Sequence, residues 1–540
     1  MHAEWSSCRT ISAPDAGSAS GPPATSFAGG RAVDVLPTPA QRSPPPAISA
    51  HDFAWRHRGA RWPALSGVDF ELQAGGTLIV IGPTGSGRST LMRALAGRLG
   101  ARHGAASGEL AFGMSGPAEQ AAEAVRRGVG HVSQVPLSAS LTRRVGDEVA
   151  LELELRRWPR ADMRARGAEV LGRLGLADFE RRPIATLSDG ERRLLALALA
   201  IAPRPGLLLL DEPTAHLDLP ARRRALAMIG ELVASREQTV VIVDRHAGEL
   251  IGRADLVLVL DAEGRQVART RPERLPAGAL NVADAQGAWL PRAQAADGGV
   301  ALAERRRPRA PAQRHPLLVA EALSVPRTPR RARGGDLLRD IHLRLDGGMR
   351  VGLRSANGGG ATSLLLTLAG LRRGGGVVAL GDGSSAPVAP PHRLAAGQLA
   401  RLIGYMPPEP RSMIVGRTCG GDVIAGTPYA RRDRAMRAEL EEVLDRFGLG
   451  RFANRRPASL SYGEQRRLNL CAVSWRAPGV LLLDQPEVGL DRRGVEMLTD
   501  LLDELRELGQ AQLLVTHDEG LLSSADEILE LADSAPAGRP

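Results

Sequence analysis

Short, unbroken apolar runs recur along this chain, separated by stretches with helical spacing. TLIVI at Thr77 to Ile81, LLLL at Leu207 to Leu210 and VVIV at Val240 to Val243 have, after Thr77, no polar position to offer to water. Such runs are expected of parallel strands covered on both faces, because a strand with one solvated face alternates. The first run ends on Gly82, the second on Asp211 and the third on Asp244. STLMRALAG after the first run, and AEVLGRLGL and AELEEVLDRFGL further on, carry helix periodicity. The pattern predicts an α/β fold. LLALALAIA (Leu194 to Ala202), the longest apolar run, falls well short of the roughly 18 residues a membrane span needs. The first fifty positions, rich in Ser, Pro, Ala and Gly, lack the apolar stretch of a secretory signal and read as a disordered tail.

One unit is written twice. LSDGERR begins at Leu187 and LSYGEQRR at Leu460, and LLLLDEP with Asp211 recurs as VLLLDQP with Asp484. Gly87 pairs with Gly360 and Asp218 with Asp491, every pair being 273 positions apart. Motifs kept in one order at one offset define an internal repeat. The expected organisation is a tail at 1–50, a first copy at 51–276, a flexible Pro/Ala/Arg-rich linker at 277–315, a second copy at 316–531 and a short tail at 532–540. A helix-rich insert separates the glycine loop from the Leu-rich strand in each copy.

Composition narrows the partners. All 70 basic residues are arginine, so an arginine at any one site is not a special choice. The formal charge of +10 is densest in ERRRPRAPAQR (Glu304 to Arg314) and RTPRRAR (Arg327 to Arg333), in or beside the linker. Solvated linker charge accounts for it, and no nucleic-acid partner is expected. Cys8, Cys419 and Cys471 lie far apart without metal-ligand spacing, which fits a reducing compartment and argues against zinc or iron–sulfur clusters.

The chemistry begins at GPTGSGRST, Gly82 to Thr90. A glycine loop that leaves a strand and opens a helix gathers backbone N–H groups and the helix N-terminus around one point, where a triphosphate is stabilised. Gly82, Gly85 and Gly87 permit the turn, Ser86 and Thr90 belong to the same cradle, and Arg88 offers charge where such loops carry lysine. Ser89 is placed to ligate Mg²⁺. Asp211 is suited to hold the ion through water, and Glu212 to polarise an attacking water. Gln134 is a candidate sensor of metal and γ-phosphate, His246 a candidate γ-phosphate contact, and Trp55 a candidate adenine platform.

This order of glycine loop, glutamine, LSDGE, LLLLDEP, HLD and terminal histidine resembles the nucleotide-binding domain of the ATP-binding cassette superfamily, in both copies. The resemblance implies two P-loop NTPase domains in tandem, each with a helical subdomain, paired head to tail within one chain. It also implies that Leu460, Ser461, Tyr462, Gly463 and Glu464 complete the first copy's site, with Ser461 and the Gly463 backbone meeting the γ-phosphate. FAWRHRGARWPALSGVDFEL and RRVGDEVALELEL resemble the energy-coupling-factor importer ATPases. That implies an ATPase working with ATP and Mg²⁺ on the inner face of the cell membrane, bound to a transmembrane coupling protein and a substrate-capture protein, for uptake of a vitamin or metal ion. The partner groove is expected near the Gln134 loop and the helical inserts. Two alternatives are a translation-factor-like cassette protein on the ribosome and a nucleotide-gated regulator that hydrolyses little.

The second copy departs from that pattern. Its loop reads SANGGGATS, with Ser355 for the first glycine and Ala361 at the lysine position; Gly358 and Gly360 remain. Gln485 replaces the glutamate, Pro407-Pro408 falls at the glutamine position, and no Phe, Tyr or Trp lies between Pro316 and Leu345. Thr362, Asp484 and His517 survive. The facing segment from the first copy, with Ser188 and Gly190, adds Asp189, directed either at phosphate or at solvent. The expectation is one hydrolytic site and one non-hydrolytic site.

Overall fold

The apolar runs form the middle of two open sheets with one strand order. The computed structural model describes residues 47–112, 128–134, 140–244, 247–276, 278–279, 281–282, 315–327, 335–381, 387–425 and 434–531. In the first copy, β3 (Thr77–Ile81), β5 (Val129–Val132), β6 (Leu207–Asp211), β7 (Thr239–Val243) and β8 (Leu256–Leu260) are parallel, in the order β5-β6-β7-β3-β8. β9 (Gln266–Thr270) closes one edge antiparallel. In the second copy, β15 (Ile403–Met406), β16 (Val480–Asp484), β17 (Ala511–Val515), β12 (Arg350–Ser355) and β18 (Glu527–Leu531) repeat that order, and β10 (Pro316–Pro326), β11 (Asp336–Asp346), β13 (Gly375–Gly381) and β14 (Pro387–Ala389) form its antiparallel sheet.

The strands lack a polar face because both faces are covered. Ile79 and Ile81 of β3, Leu208 and Leu210 of β6, and Val240 and Ile242 of β7 enter one core, shared with helices Asp189–Ile201 and Leu219–Ser235 and the helical insert. Their neighbours Leu78, Val80, Leu207, Leu209, Val241 and Val243 enter a second core under a three-stranded antiparallel sheet of β1 (Ile48–His57), β2 (Leu65–Leu72) and β4 (Gly104–Ala111). Each such side chain contributes about 1.5–3 kcal/mol on burial. β1 starts at Ile48, three residues ahead of the expected boundary at His51.

In each copy, the helix facing the other copy is fixed by its own first turn. Ser188 caps helix Asp189–Ile201 through a reciprocal bond with Glu191, and Ser461 caps helix Tyr462–Ser474 in the same way with Glu464. Asp218 and Asp491 cap the helices that follow the Leu-rich strands. Caps of this kind stabilise by about 0.5–2 kcal/mol, and here they also aim helix N-termini between the copies. Among the described residues no helix is long and apolar enough to cross a membrane.

A candidate nucleotide site shared between the two copies

β3 delivers the chain to Gly82, and the loop opens helix Arg88–Leu95 with Gly87 at its N-cap. Gly87 has φ 83°, and a Cβ there would lie 2.1 Å from the Ala64 carbonyl oxygen, so only glycine fits. Three polar groups converge beside this helix. Ser89 Oγ donates to Gln134 Oε1 at 3.4 Å and lies close enough to Asp211 to favour its charged form. Asp211 is fully buried; burial pushes its carboxyl up, while Ser89, Arg88, Arg93 and Arg193 favour its charged form. Asp211 Oδ1 has no hydrogen-bond partner among the described residues, nor has Ser86 Oγ. A buried, unpartnered carboxylate oxygen beside a hydroxyl and an amide oxygen is a hard-donor set of the type Mg²⁺ takes together with phosphates.

Glu212, directly after β6, is 8 % exposed and sits at φ 54° with its N–H donating to Val243 O at 2.7 Å. That left-handed turn sets it one step beyond Asp211 at the strand's C-terminal end. His246 lies outside the described residues. Trp55 is corrected by the structure. It is 5 % exposed within the core beneath the antiparallel sheet, with its indole donating to His57 Nδ1 at 3.2 Å. A stacking platform needs an open ring face, and Trp55 has none. His57, two residues on, is half-buried and meets Thr90 Oγ1 at 3.2 Å through Nε2.

The second copy closes over this loop. Thr84 N–H donates to Asp491 Oδ2 at 2.7 Å, and Asp491 N–H donates to Thr84 Oγ1 at 3.1 Å. A Cβ on Gly463 would lie 2.4 Å from Thr84 Cγ2, which brings the turn Ser461–Glu464 into contact with the phosphate-type loop. Beside Asp211 and Gln134 a cavity runs between the copies, also lined by Arg93, His131, Arg411 and Tyr462.

The opposite pair of elements meets with the same geometry and different chemistry. Asn357 N–H donates to Asp218 Oδ2 at 2.8 Å, and Gly190 packs on the Asn357 amide. Gly358 and Gly360 keep positive φ, and Ala361 begins helix Ala361–Leu368 with only a methyl group. Thr362 lies close enough to Asp484 to favour its charged form, His517 follows β17, and Pro407 and Pro408 offer only carbonyls, to Arg466 and Tyr462. The Asp189 charge helps raise the pKa of Asp484, Tyr405 and Glu409. Burial and then the Asp189 and Glu487 charges push Asp484 up to about 7, against Thr362 and Arg466.

This shift has a measurable consequence. Asp484 keeps its proton to about pH 7 in the fold, whereas the unfolded chain releases it near ~3.9. The unfolded state then binds fewer protons through that window, so this group lowers stability as pH rises from about 4 to 7. Asp484→Asn should therefore raise stability at pH 8, by about 2–4 kcal/mol, and change it little at pH 4. Denaturant titrations of both proteins without nucleotide or divalent ion check this, and an equal gain at both pH values would contradict it.

Two buried arginines were not singled out by motif. Arg193 donates to the carbonyls of Ser133 and Gln134 at 2.5 and 2.6 Å, and Arg466 to those of Pro407 and Gln485. Both are fully buried and both stand six residues after the leucine of their LS motif, a repeat of position that signals a shared task. Each ties its capped helix to the loop carrying, or replacing, the glutamine.

A phosphate-type loop, a buried carboxylate at a strand end and a capped helix N-terminus from a facing repeat together define a nucleoside-triphosphate site of the P-loop class. The ABC transporter family matches at residues 65–215 and 338–488. The chain belongs to that family: it is an ATP-binding subunit of an ABC transporter, an ATPase with two such domains in tandem. It is similar to a protein of Streptomyces avermitilis, provisionally named an ABC transporter ATP-binding protein, at 31% identity over 87% of this chain and 89% of the other. A protein of Streptomyces coelicolor with the same provisional description is 31% identical over 90% of this chain and 92% of its own length. A Bacillus subtilis protein provisionally named an HMP/thiamine import ATP-binding protein is 26% identical over 91% of this chain and 90% of its own.

Proposed function

We propose that the chain is the motor of an energy-coupling-factor-type importer, with ATP hydrolysed at the first composite site and not at the second. The observation that supports this is the closure of Thr84 by Asp491 and Gly463 over the loop that has Arg88, Asp211 and Glu212, where the equally closed second loop has Ala361, Asp484 and Gln485. In this reading the loop N–H groups, Ser86, Thr90 and Arg88 bind the phosphates, and Ser89, Asp211 and Gln134 hold Mg²⁺, which neutralises phosphate charge when bound. Glu212 orients the attacking water and takes its proton, His246 contacts the γ-phosphate, and Ser461 with the Gly463 backbone faces it from the second copy. At the second site Ala361, Gln485 and Asp189 withdraw cation, base and charge balance, leaving a site that does not hydrolyse.

Exposed apolar side chains support a membrane partner beside the Gln134 loop and its counterpart. Leu141 is 80 % exposed, Leu155 63 % and Val415 75 %, and they flank the helical inserts where a coupling helix would lie. The HMP/thiamine name of the Bacillus subtilis relative favours a vitamin as the cargo. The motor would then sit on the cytoplasmic face of the membrane with a transmembrane coupling protein and a substrate-capture protein. Purification of the tagged chain from its own host in mild detergent tests this. Co-purification of a polytopic membrane protein is the expected result; recovery with ribosomes, released by salt or ATP, would overturn it.

A further inference from the structure

His216 occupies a position that the repeat fills with glycine. Its counterpart in the second copy is Gly489, and both take left-handed backbone, φ 64° and φ 80°. A side chain in that region carries a conformational cost that glycine avoids. At Gly489 the space is taken: a Cβ would lie 2.3 Å from Cδ1 of Tyr462. His216 is only 4 % exposed and reaches into the second copy. Its Nδ1 meets Gln485 Oε1 at 2.6 Å, and its Nε2 meets the Tyr462 hydroxyl at 3.5 Å. An oxygen acceptor requires the proton on Nδ1, so Nε2 of the neutral ring is an acceptor for the Tyr462 hydroxyl. That hydroxyl's one proton is shared between Nε2 and the nearer Pro408 O, at 3.2 Å, and Tyr462 packs in a small buried cluster with Ala215 and Val488, one from each copy.

The connection runs between the two sites. Gln485 stands in the second site, where the repeat's first copy has Glu212. Tyr462 stands between Ser461 and Gly463, the residues set over the first site's loop. We propose that His216 is a positioning residue of the first site, holding the Ser461–Gly463 turn in register through Gln485 and Tyr462. Gln485 thereby has a task as the acceptor that orients the His216 ring, and the second site is mechanically joined to hydrolysis at the first. This inference rests on the reading of the first site as the hydrolytic one.

The test uses the full chain with Gln485→Ala, Gln485→Glu, His216→Gly and the His216→Gly/Gln485→Ala double variant. Loss of one buried hydrogen bond at the turn should lower kcat about five- to tenfold in Gln485→Ala and in His216→Gly, with KM for ATP within about twofold. Gln485→Glu keeps an oxygen acceptor and should rescue the rate lost in Gln485→Ala. The double variant should fall no further than His216→Gly, because both remove one linkage. Backbone hydrogen exchange over residues 460–466, measured without nucleotide, should quicken in Gln485→Ala and His216→Gly and not in Gln485→Glu. A wild-type rate and exchange in Gln485→Ala, or a Gln485→Glu loss as deep as that of Gln485→Ala, would overturn the proposal. Absence of ATPase in the parent chain would instead defeat the hydrolytic reading, and the exchange data would still decide whether the linkage holds the turn.

Discussion

Glu212→Gln is expected to reduce ATP hydrolysis by about 10²–10⁴-fold, the usual contribution of a positioned general base. The comparison with Gln485 makes the result sharp, because the two backbones are alike. Glu212 has φ 54° and donates its N–H to Val243 O at 2.7 Å; Gln485 has φ 48° and donates to Val515 O at 2.8 Å. The variant therefore leaves the turn after β6 in the conformation that already accepts glutamine after β16. What changes is the ability to take a proton. The reverse substitution, Gln485→Glu, should not lift turnover above that of the parent, since Ala361 still supplies no cation and Asp189 still adds negative charge. Steady-state rates at saturating ATP and Mg²⁺ check both. A Glu212→Gln chain that turns over normally would place the base elsewhere.

The second large effect is steric and falls unequally on the two interfaces. Gly463→Ala would put a Cβ 2.4 Å from Thr84 Cγ2 and 2.6 Å from the Gly489 carbonyl oxygen, and the backbone atom cannot rotate away. Overpacking of this kind costs about 1–3 kcal/mol, which at the turn over the first site corresponds to about a five- to 150-fold loss of kcat. Gly190→Ala meets only the Asn357 side-chain amide and no backbone atom. Its site is the non-hydrolytic one, so the expected loss is less than about threefold. Parallel rate measurements on the two variants decide this, and a Gly190→Ala defect equal to that of Gly463→Ala would remove the asymmetry between the sites.

Much of this was written in local patterns. The runs at 77–81, 207–210 and 240–243 were legible as doubly covered strands because periodicity reports burial directly, and alternate residues of each run do enter different cores. Ser89, Gln134 and Asp211 could be named because a loop, a strand end and their spacing fix where such groups must be. Trp55 shows the limit. Phe53, Trp55 and His57 alternate along β1, and period two alone cannot say which of them lies deep beneath the neighbouring sheet and which lies at its edge beside Thr90. The His216–Gln485 contact joins residues 269 apart across two copies, and no local pattern encodes it. One sequence signal did exist: histidine where the repeat has glycine, opposite tyrosine where the repeat has aspartate.

The proposed hydrolytic site is the composite of the first copy's loop and the second copy's capped helix. Trapping ADP with vanadate and irradiating the complex tests it most directly, because cleavage marks the backbone beside the trapped phosphate analogue. Mass spectrometry should find breaks within residues 82–90 and 460–464. Breaks confined to residues 355–363 and 187–191 would contradict the account by placing turnover at the site that has Ala361, Gln485 and Asp189.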